Sequence, residues 1–147
     1  MADSTERSVV SALTRDHRRI EELLARLQAA TDPADRRRRL GEVTTEIVQH
    51  ADAEEKYLYG VVRGVIPRGA IDIEDQIESH ARIRAVLGEM QRTDAGREEF
   101  DRLMAELVAE VGQNILNEEN SVFAWLTQWV DERTLAELGD EIEALRS

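Results

Sequence analysis

The chain has three histidines, His17, His50 and His80, and each interrupts a stripe of apolar residues. Two carboxylates do the same: Glu54, four residues after His50, and Glu118, four after Asn114. Side chains four apart lie on one helix face, one turn above the other, so His50 and Glu54 can grip one ion or an ion pair from the same side. There is no cysteine, which excludes disulfides, thiolate metal sites and cysteine nucleophiles. Any metal must therefore be held by imidazole and carboxylate, a donor set that suits Fe, Mn, Zn or Co. Taken singly, a histidine on an apolar stripe is more often a hydrogen-bonded core residue than a ligand. The set argues otherwise, because each buried unpaired charge costs several kcal/mol in a fold whose net stability is about 5–15 kcal/mol. A bound cation would supply the compensation; His–Glu salt bridges in a metal-free bundle are the alternative.

The elements that must position these residues are helices. Apolar residues recur at three- and four-residue spacing, and the two prolines, Pro33 and Pro67, fall between such segments. The spacing predicts a first helix from about Thr5 to Ala30, with Val9, Val10, Leu13, His17, Ile20, Leu24 and Leu27 on one stripe. Asp32 with Pro33 supplies an N-cap and a first-turn proline for a second helix reaching about Val62. A third runs from about Ile73 to Gln91, a fourth to about Trp129, and "DERTLAELGDEIEALRS" reads as a shorter fifth. Short connections favour antiparallel neighbours, so the expected fold is all-α: an up-down-up-down antiparallel four-helix bundle with a short C-terminal helix. At 147 residues it is one domain over 1–147, with the four-helix core at about 5–130 and the extra helix at about 131–146.

The chain also repeats itself. His17 and His80 are each followed by Ile three residues on and Leu seven on. "QHADAEEKYLY" at 49–59 aligns with "QNILNEENSVF" at 113–123, matching Gln, then His50 or Asn114, then a Glu-Glu pair, then an aromatic. His50 follows His17 by 33 positions, and Asn114 follows His80 by 34. Two copies of a helix pair thus bring His17, His50, Glu54, His80, Asn114 and Glu118 to one level of the core.

On these residues the chain resembles the hemerythrin-like, or HHE cation-binding, domains over about residues 9–130. His17, "HADAEEKYLY", His80 and "NILNEENSVF" carry the resemblance. It implies a non-haem centre of two iron ions with His17, His50, Glu54, His80 and Glu118 as ligands, Glu54 and Glu118 bridging. Asn114 stands where the family has His, and Gln76 where oxygen-carrying members have a further His. The family includes proteins that bind O2, sense oxygen or iron, or decompose peroxide. Five ligands, two of them bridging, leave positions open on a pair of six-coordinate ions, where O2 or peroxide would bind. Three functions stay open here. The first is a module that binds O2 or a related species for sensing or handling. The second is a di-iron enzyme, either a catalase-like peroxide scavenger or an oxidase. The third is a degenerate bundle with one metal or none.

A net charge of −12 disfavours nucleic acid and anionic membrane as partners. No apolar run approaches bilayer length, and "MADSTERSVV" lacks the basic and apolar regions of a signal peptide, so the expected location is the cytoplasm. Tyr57, three after Glu54, is a candidate donor behind the ligands, although a packing role is the commoner one for such a tyrosine. Tyr59 and Phe123 read as packing residues, and Glu55 and Glu119 as surface or helix-contact residues about 100° round from the ligands. Glu21 and the arginines of "DRRRRL" at 35–40 read as a solvated face.

Overall fold

The computed structural model describes residues 4–67 and 69–145. Residues 1–3 and 146–147, the ends of the domain expected over 1–147, lie outside the described residues. The described chain is helical throughout, with no strand among the described residues. It comprises α1 (Ser4–Arg7), α2 (Val9–Ala29), α3 (Pro33–Ala53), α4 (Tyr59–Val65), α5 (Gly69–Gln91), α6 (Glu98–Asn117), α7 (Phe123–Trp129) and α8 (Glu132–Ala144). Two π-helical segments, Glu54–Leu58 and Glu118–Val122, join α3 to α4 and α6 to α7. Each therefore makes one long bundle helix with a wider turn inside it. None of the described helices is long and apolar enough to cross a membrane.

Local chemistry sets the breaks. Asp32 accepts a hydrogen bond from the Asp35 amide at 3.1 Å, with Pro33 in the first turn behind it, so α3 starts where the cap and proline require. Asp131 caps α8 in the same way through the Thr134 amide at 2.7 Å. The single first helix expected from about Thr5 is instead broken at Ser8, which leaves the helical conformation and accepts from the Val10 amide to start α2. The short α1 lies against α8, and the approach is close: a Cβ on Gly139 would stand 1.9 Å from the Arg7 carbonyl oxygen.

The arginine run is not simply a solvated face. Arg36 donates to the carbonyls of Ala30 and Ala95, both at 2.9 Å, and Arg37 to that of Met90 at 3.0 Å. Both guanidinium groups lie over the Phe100 ring, at 5.6 and 5.8 Å. The last carbonyls of a helix have no intrahelical partner, and these arginines satisfy such groups at one end of the bundle.

The core falls into two apolar clusters. One contains Ile20, Leu24, Ile47, Ile83, Leu87, Phe100, Leu107 and Val111. The other contains Val9, Leu13, Leu58, Tyr59, Val62, Phe123 and Leu126, and α8 joins it through Leu135, Leu138 and Ile142. Between them lies a buried polar layer: Asp16, His17, His50, Glu54, Gln76, Ser79, His80, Asn114 and Glu118.

Candidate metal centre

The two helix pairs meet in this layer. His17 comes from α2, His50 from the last turn of α3 and His80 from α5, while Glu54 and Glu118 are the first residues of the two π segments. His17 Nε2 lies 3.2 Å from His50 Nε2 and 3.0 Å from Glu118 Oε1. His50 Nε2 is 2.9 Å from Glu54 Oε1, and His80 Nε2 is 3.5 Å from the same oxygen. Among the described residues two groups have donor atoms all within 4.8 Å of one another: His17, His50 and Glu118, and Glu54, His80 and Glu118. Donors about 2.1 Å from one ion and at right angles would stand about 3 Å apart; the first group shows 3.0–3.6 Å, and His80 and Glu54 in the second stand 3.5 Å apart. Glu118 belongs to both groups, so one carboxylate can touch two ions.

Each imidazole is oriented by a carboxylate on its other nitrogen. Asp16 Oδ2 faces His50 Nδ1 at 3.0 Å, Glu119 Oε2 faces His17 Nδ1 at 2.7 Å, and Glu55 Oε2 faces His80 Nδ1 at 2.8 Å. Such contacts turn Nε2 toward the centre and raise its basicity. Arginines close the outer ends: Arg84 donates to Glu55 at 3.0 Å, and Arg18 is paired with Glu119. Glu55 and Glu119 therefore reach across to a histidine of the other copy, a contact that their helical angle did not suggest. Glu21 is exposed and pairs with Arg18 at 3.3 Å, outside the layer.

The π segments decide which aromatic faces the site. In α geometry a residue five after Glu54 would stand about 140° away. In the π segment the Tyr59 amide bonds back to the Glu54 carbonyl, and the Phe123 amide to that of Glu118, so each aromatic follows its carboxylate onto the inner face. The donor place for which Tyr57 was a candidate is thus taken by Tyr59, a residue the spacing reads as packing, while Tyr57 has the packing role that is the commoner one. Tyr59 is buried, its hydroxyl donates to Glu118 Oε2 at 3.2 Å, and it stands 3.5 Å from His80 Nε2. Tyr57 is only partly buried, packs against the apolar cluster and carries Lys56 Nζ 5.2 Å over its ring. Tyr59 stacks on His80 and Phe123 on His17, with ring centroids 5.9 and 5.4 Å apart. The one available signal was the spacing of five from glutamate to aromatic in both copies.

Asn114 occupies the place matching His50 but is held differently. Its Nδ2 donates to Gln76 Oε1 at 2.8 Å and to Ser79 Oγ at 3.1 Å. Ser79 precedes His80 as Asp16 precedes His17, so the orienting carboxylate and the imidazole it orients are both replaced in the second copy.

The electrostatics suit a cation. Both oxygens of Glu54 are buried without a hydrogen-bond partner, although histidine nitrogens stand close by. Burial, with the Glu118 charge beside it, raises the Glu54 carboxyl above the ordinary value. Burial also opposes the charge on Glu118, but Glu54 and the His17 and His50 imidazoles outweigh it and hold that carboxyl well below the ordinary range. Burial would lower His50, yet Glu54, Asp16 and Glu118 hold it well above its usual 6.5. Protons thus supply the positive charge that a metal ion would supply, and the residues fit one.

Beside the layer is a cavity of about 20 Å³ lined by Ile20, Ile47, Ile83, Val111, Ile115 and the three histidines, among others. That is room for one water-sized molecule.

Fold and site together define a helical bundle with an imidazole–carboxylate layer able to hold cations. The chain matches the hemerythrin HHE cation binding domain over residues 8–126, and it belongs to that family. It is also 22% identical over 146 residues, 99% of its length, to a DNA nickase of Nostoc sp., of which it spans 41%. No solved structure matches the chain.

Proposed function

We propose that this domain holds two non-haem iron ions and binds O2, or a related small oxygen species such as peroxide, for sensing or handling. The carrying observation is Glu118: one buried carboxylate shared by two convergent His/Glu groups, beside a Glu54 whose oxygens have no hydrogen-bond partner. His17, His50, Glu54, His80 and Glu118 are the proposed ligands. When bound, the ions would supply Lewis acidity and reversible one-electron chemistry at open coordination positions. The chain's own residues do the rest. Glu119, Asp16 and Glu55 fix the three imidazoles, the Tyr59 hydroxyl donates a hydrogen bond to the Glu118 carboxylate, and the apolar cavity wall keeps bulk water and larger molecules from the layer. A cavity of about 20 Å³ admits a diatomic or peroxide-sized ligand rather than an organic substrate.

Iron analysis after anaerobic loading tests the centre, with two ions per chain expected. An optical band that comes and goes with O2 supports binding, and sustained peroxide turnover supports the enzymatic alternative. Protein purified and reconstituted without metal would overturn both. DNA is not part of this proposal: the chain spans less than half of the Nostoc nickase, and its charge of −12 opposes phosphate contact.

A further inference from the structure

The cavity beside the polar layer is walled almost entirely by buried side chains. Of the described residues that line it, Val48 of α3 and Arg84 of α5 alone are partly exposed, so the cavity meets solvent between these two helices. The two sides of that mouth are unlike. Val48 is short and β-branched, with little rotamer freedom. Arg84 is long, 34% exposed in its side chain, and held at its tip across the mouth. Its Nη2 donates to Asp52 Oδ1 at 2.7 Å and its Nη1 to Glu55 Oε2 at 3.0 Å. Asp52 is four residues after Val48, one turn further along the same face. The guanidinium therefore reaches from α5 to the α3 edge of the opening.

The arginine on the other side of the layer does not stand in such a place. Arg18 directly follows His17, about 100° round the helix, and it pairs with Glu119 without lining the cavity. Arg84 is four residues after His80, one turn away on the same face, which brings it to the cavity. The residue four after His17 is Glu21, which is exposed and paired with Arg18. The way to solvent is thus one-sided, and it lies at the second copy's arginine.

We propose that Arg84 is the gate of the cavity, closed while it bridges Asp52 and Glu55 and open when it swings into solvent; that the molecule admitted is O2 or peroxide rests on the reading of the centre given above. Ion pairs at a surface are weak, and exposed side chains change rotamer in picoseconds to nanoseconds, so the gate opens often and admits what fits behind it. It is also joined to the centre. The Glu55 oxygen that accepts from Arg84 faces His80 Nδ1 at 2.8 Å, so the guanidinium steadies the carboxylate that orients one proposed ligand. Arg84 is in this sense a positioning residue: it sets access to the cavity directly and the His80 ring through Glu55.

Two rates test the gate. Exchange of histidine C2 protons for deuterium, read by mass spectrometry, reports water at the His50 and His80 rings in metal-free protein, and the optical band reports O2 association in iron-loaded protein. Asp52→Asn cuts the outer tie, leaves the Glu55–His80 contact in place and should raise both rates up to about fivefold, the worth of an exposed ion pair. Arg84→Ala should raise them further, with Arg84→Lys between, since an ammonium lacks the fork that holds two carboxylates. Salt should raise both rates in the parent by screening the ties and leave Arg84→Ala unchanged. Arg82, on the same helix, is tied to Glu110 at 3.3 Å and does not line the cavity, so Arg82→Ala should give parent rates. Parent exchange rates in Asp52→Asn and Arg84→Ala, or an equal rise in Arg82→Ala, would overturn the gate. Iron-loaded parent that shows no band with O2 would overturn the reading of the centre, while exchange in metal-free protein would still decide the gate. Asp52 is exposed, so its variant keeps the test decisive if Arg84→Ala fails to fold.

Discussion

The first copy offers the core two imidazoles, His17 and His50, and a phenol, Tyr59, which stacks on the second copy's His80. The second offers one imidazole, His80, one amide, Asn114, and a phenyl ring, Phe123, in the place matching Tyr59. The backbone treats the copies alike, since both second helices open into a π segment at their glutamate and both send an aromatic to stack on the other copy's histidine. The asymmetry thus lies in side chains, on a scaffold that has kept its symmetry. A scaffold that only needed to stand would have no reason to keep a π turn in each copy, because a wider turn trades regular hydrogen bonding for the position of one residue. The turns stay where glutamate and aromatic must share a face.

The largest effect should come from breaking what the copies share. Glu118 is in both donor groups, so Glu118→Ala should remove both ions, whereas His50→Ala should release mainly the ion on the His17 side. Metal analysis after equilibrium dialysis checks this, and two retained ions in Glu118→Ala would refute a shared carboxylate. Glu54→Ala should likewise release most of the metal. The orienting carboxylates come next. Glu119→Gln and Glu55→Gln should each weaken one ion by about 10–100-fold, on opposite sides of the centre, and competition with a chelator reads the difference.

Much of this was legible in the sequence. The apolar stripes, the Asp32–Pro33 break and the repeat gave the helices and the single polar level, because those signals are local or periodic. Four things were not. The break at Ser8 rests on a serine that could equally sit inside a helix, and it goes with the approach of Arg7 to Gly139 of α8, a contact far apart in the chain. The roles of Glu55 and Glu119 depend on a histidine from the other copy, which helix angle alone cannot place. Tyr59 replaced Tyr57 because a π turn shifts the phase of every later residue, and hydrophobic periodicity assumes that the phase is constant. Asp16 carried no motif of its own until its partner His50 was beside it.

Restoring the missing imidazole sharpens the comparison. The parent should bind its two ions in a tight and a loose phase, the weaker at the His80 side. Asn114→His alone should narrow the gap only in part, since Ser79 cannot orient the ring as Asp16 orients His50. Asn114→His with Ser79→Asp should merge the phases in an iron titration of metal-free protein. One identical phase in all three proteins would place Asn114 outside the ligand set.

Acid separates the loaded and metal-free forms. In metal-free protein burial opposes the charge on His50, but Glu54, Asp16 and Glu118 outweigh it and raise the imidazole well above 6.5. A raised imidazole contributes stability that is complete below its unfolded value and is lost as pH rises through the folded one. The loaded centre needs the same ring neutral, so protons compete with the ion, and that form weakens as pH falls. Melting temperatures measured from about pH 8 downward should therefore fall for the loaded form and hold or rise for the metal-free form through the range near 6.5. Parallel slopes would argue against a core metal.

The smallest effect concerns the phenol. Tyr59 donates to Glu118 from a buried position, and burial, with Glu54 and Glu118 nearby, raises its pKa so that it stays protonated. Tyr59→Phe gives the first copy the phenyl ring that the second has in Phe123 and removes one hydrogen bond to a charged group, a loss of about 1.5–3 kcal/mol in the metal-free protein. An ion on Glu118 would take over part of that stabilisation, so the loss should shrink once metal is bound. Denaturant melts of parent and variant, each with and without iron, measure this as a double difference. A cost that is the same in both forms would mean that the Tyr59 hydroxyl supports the fold alone and that the asymmetry at this position has no bearing on the centre.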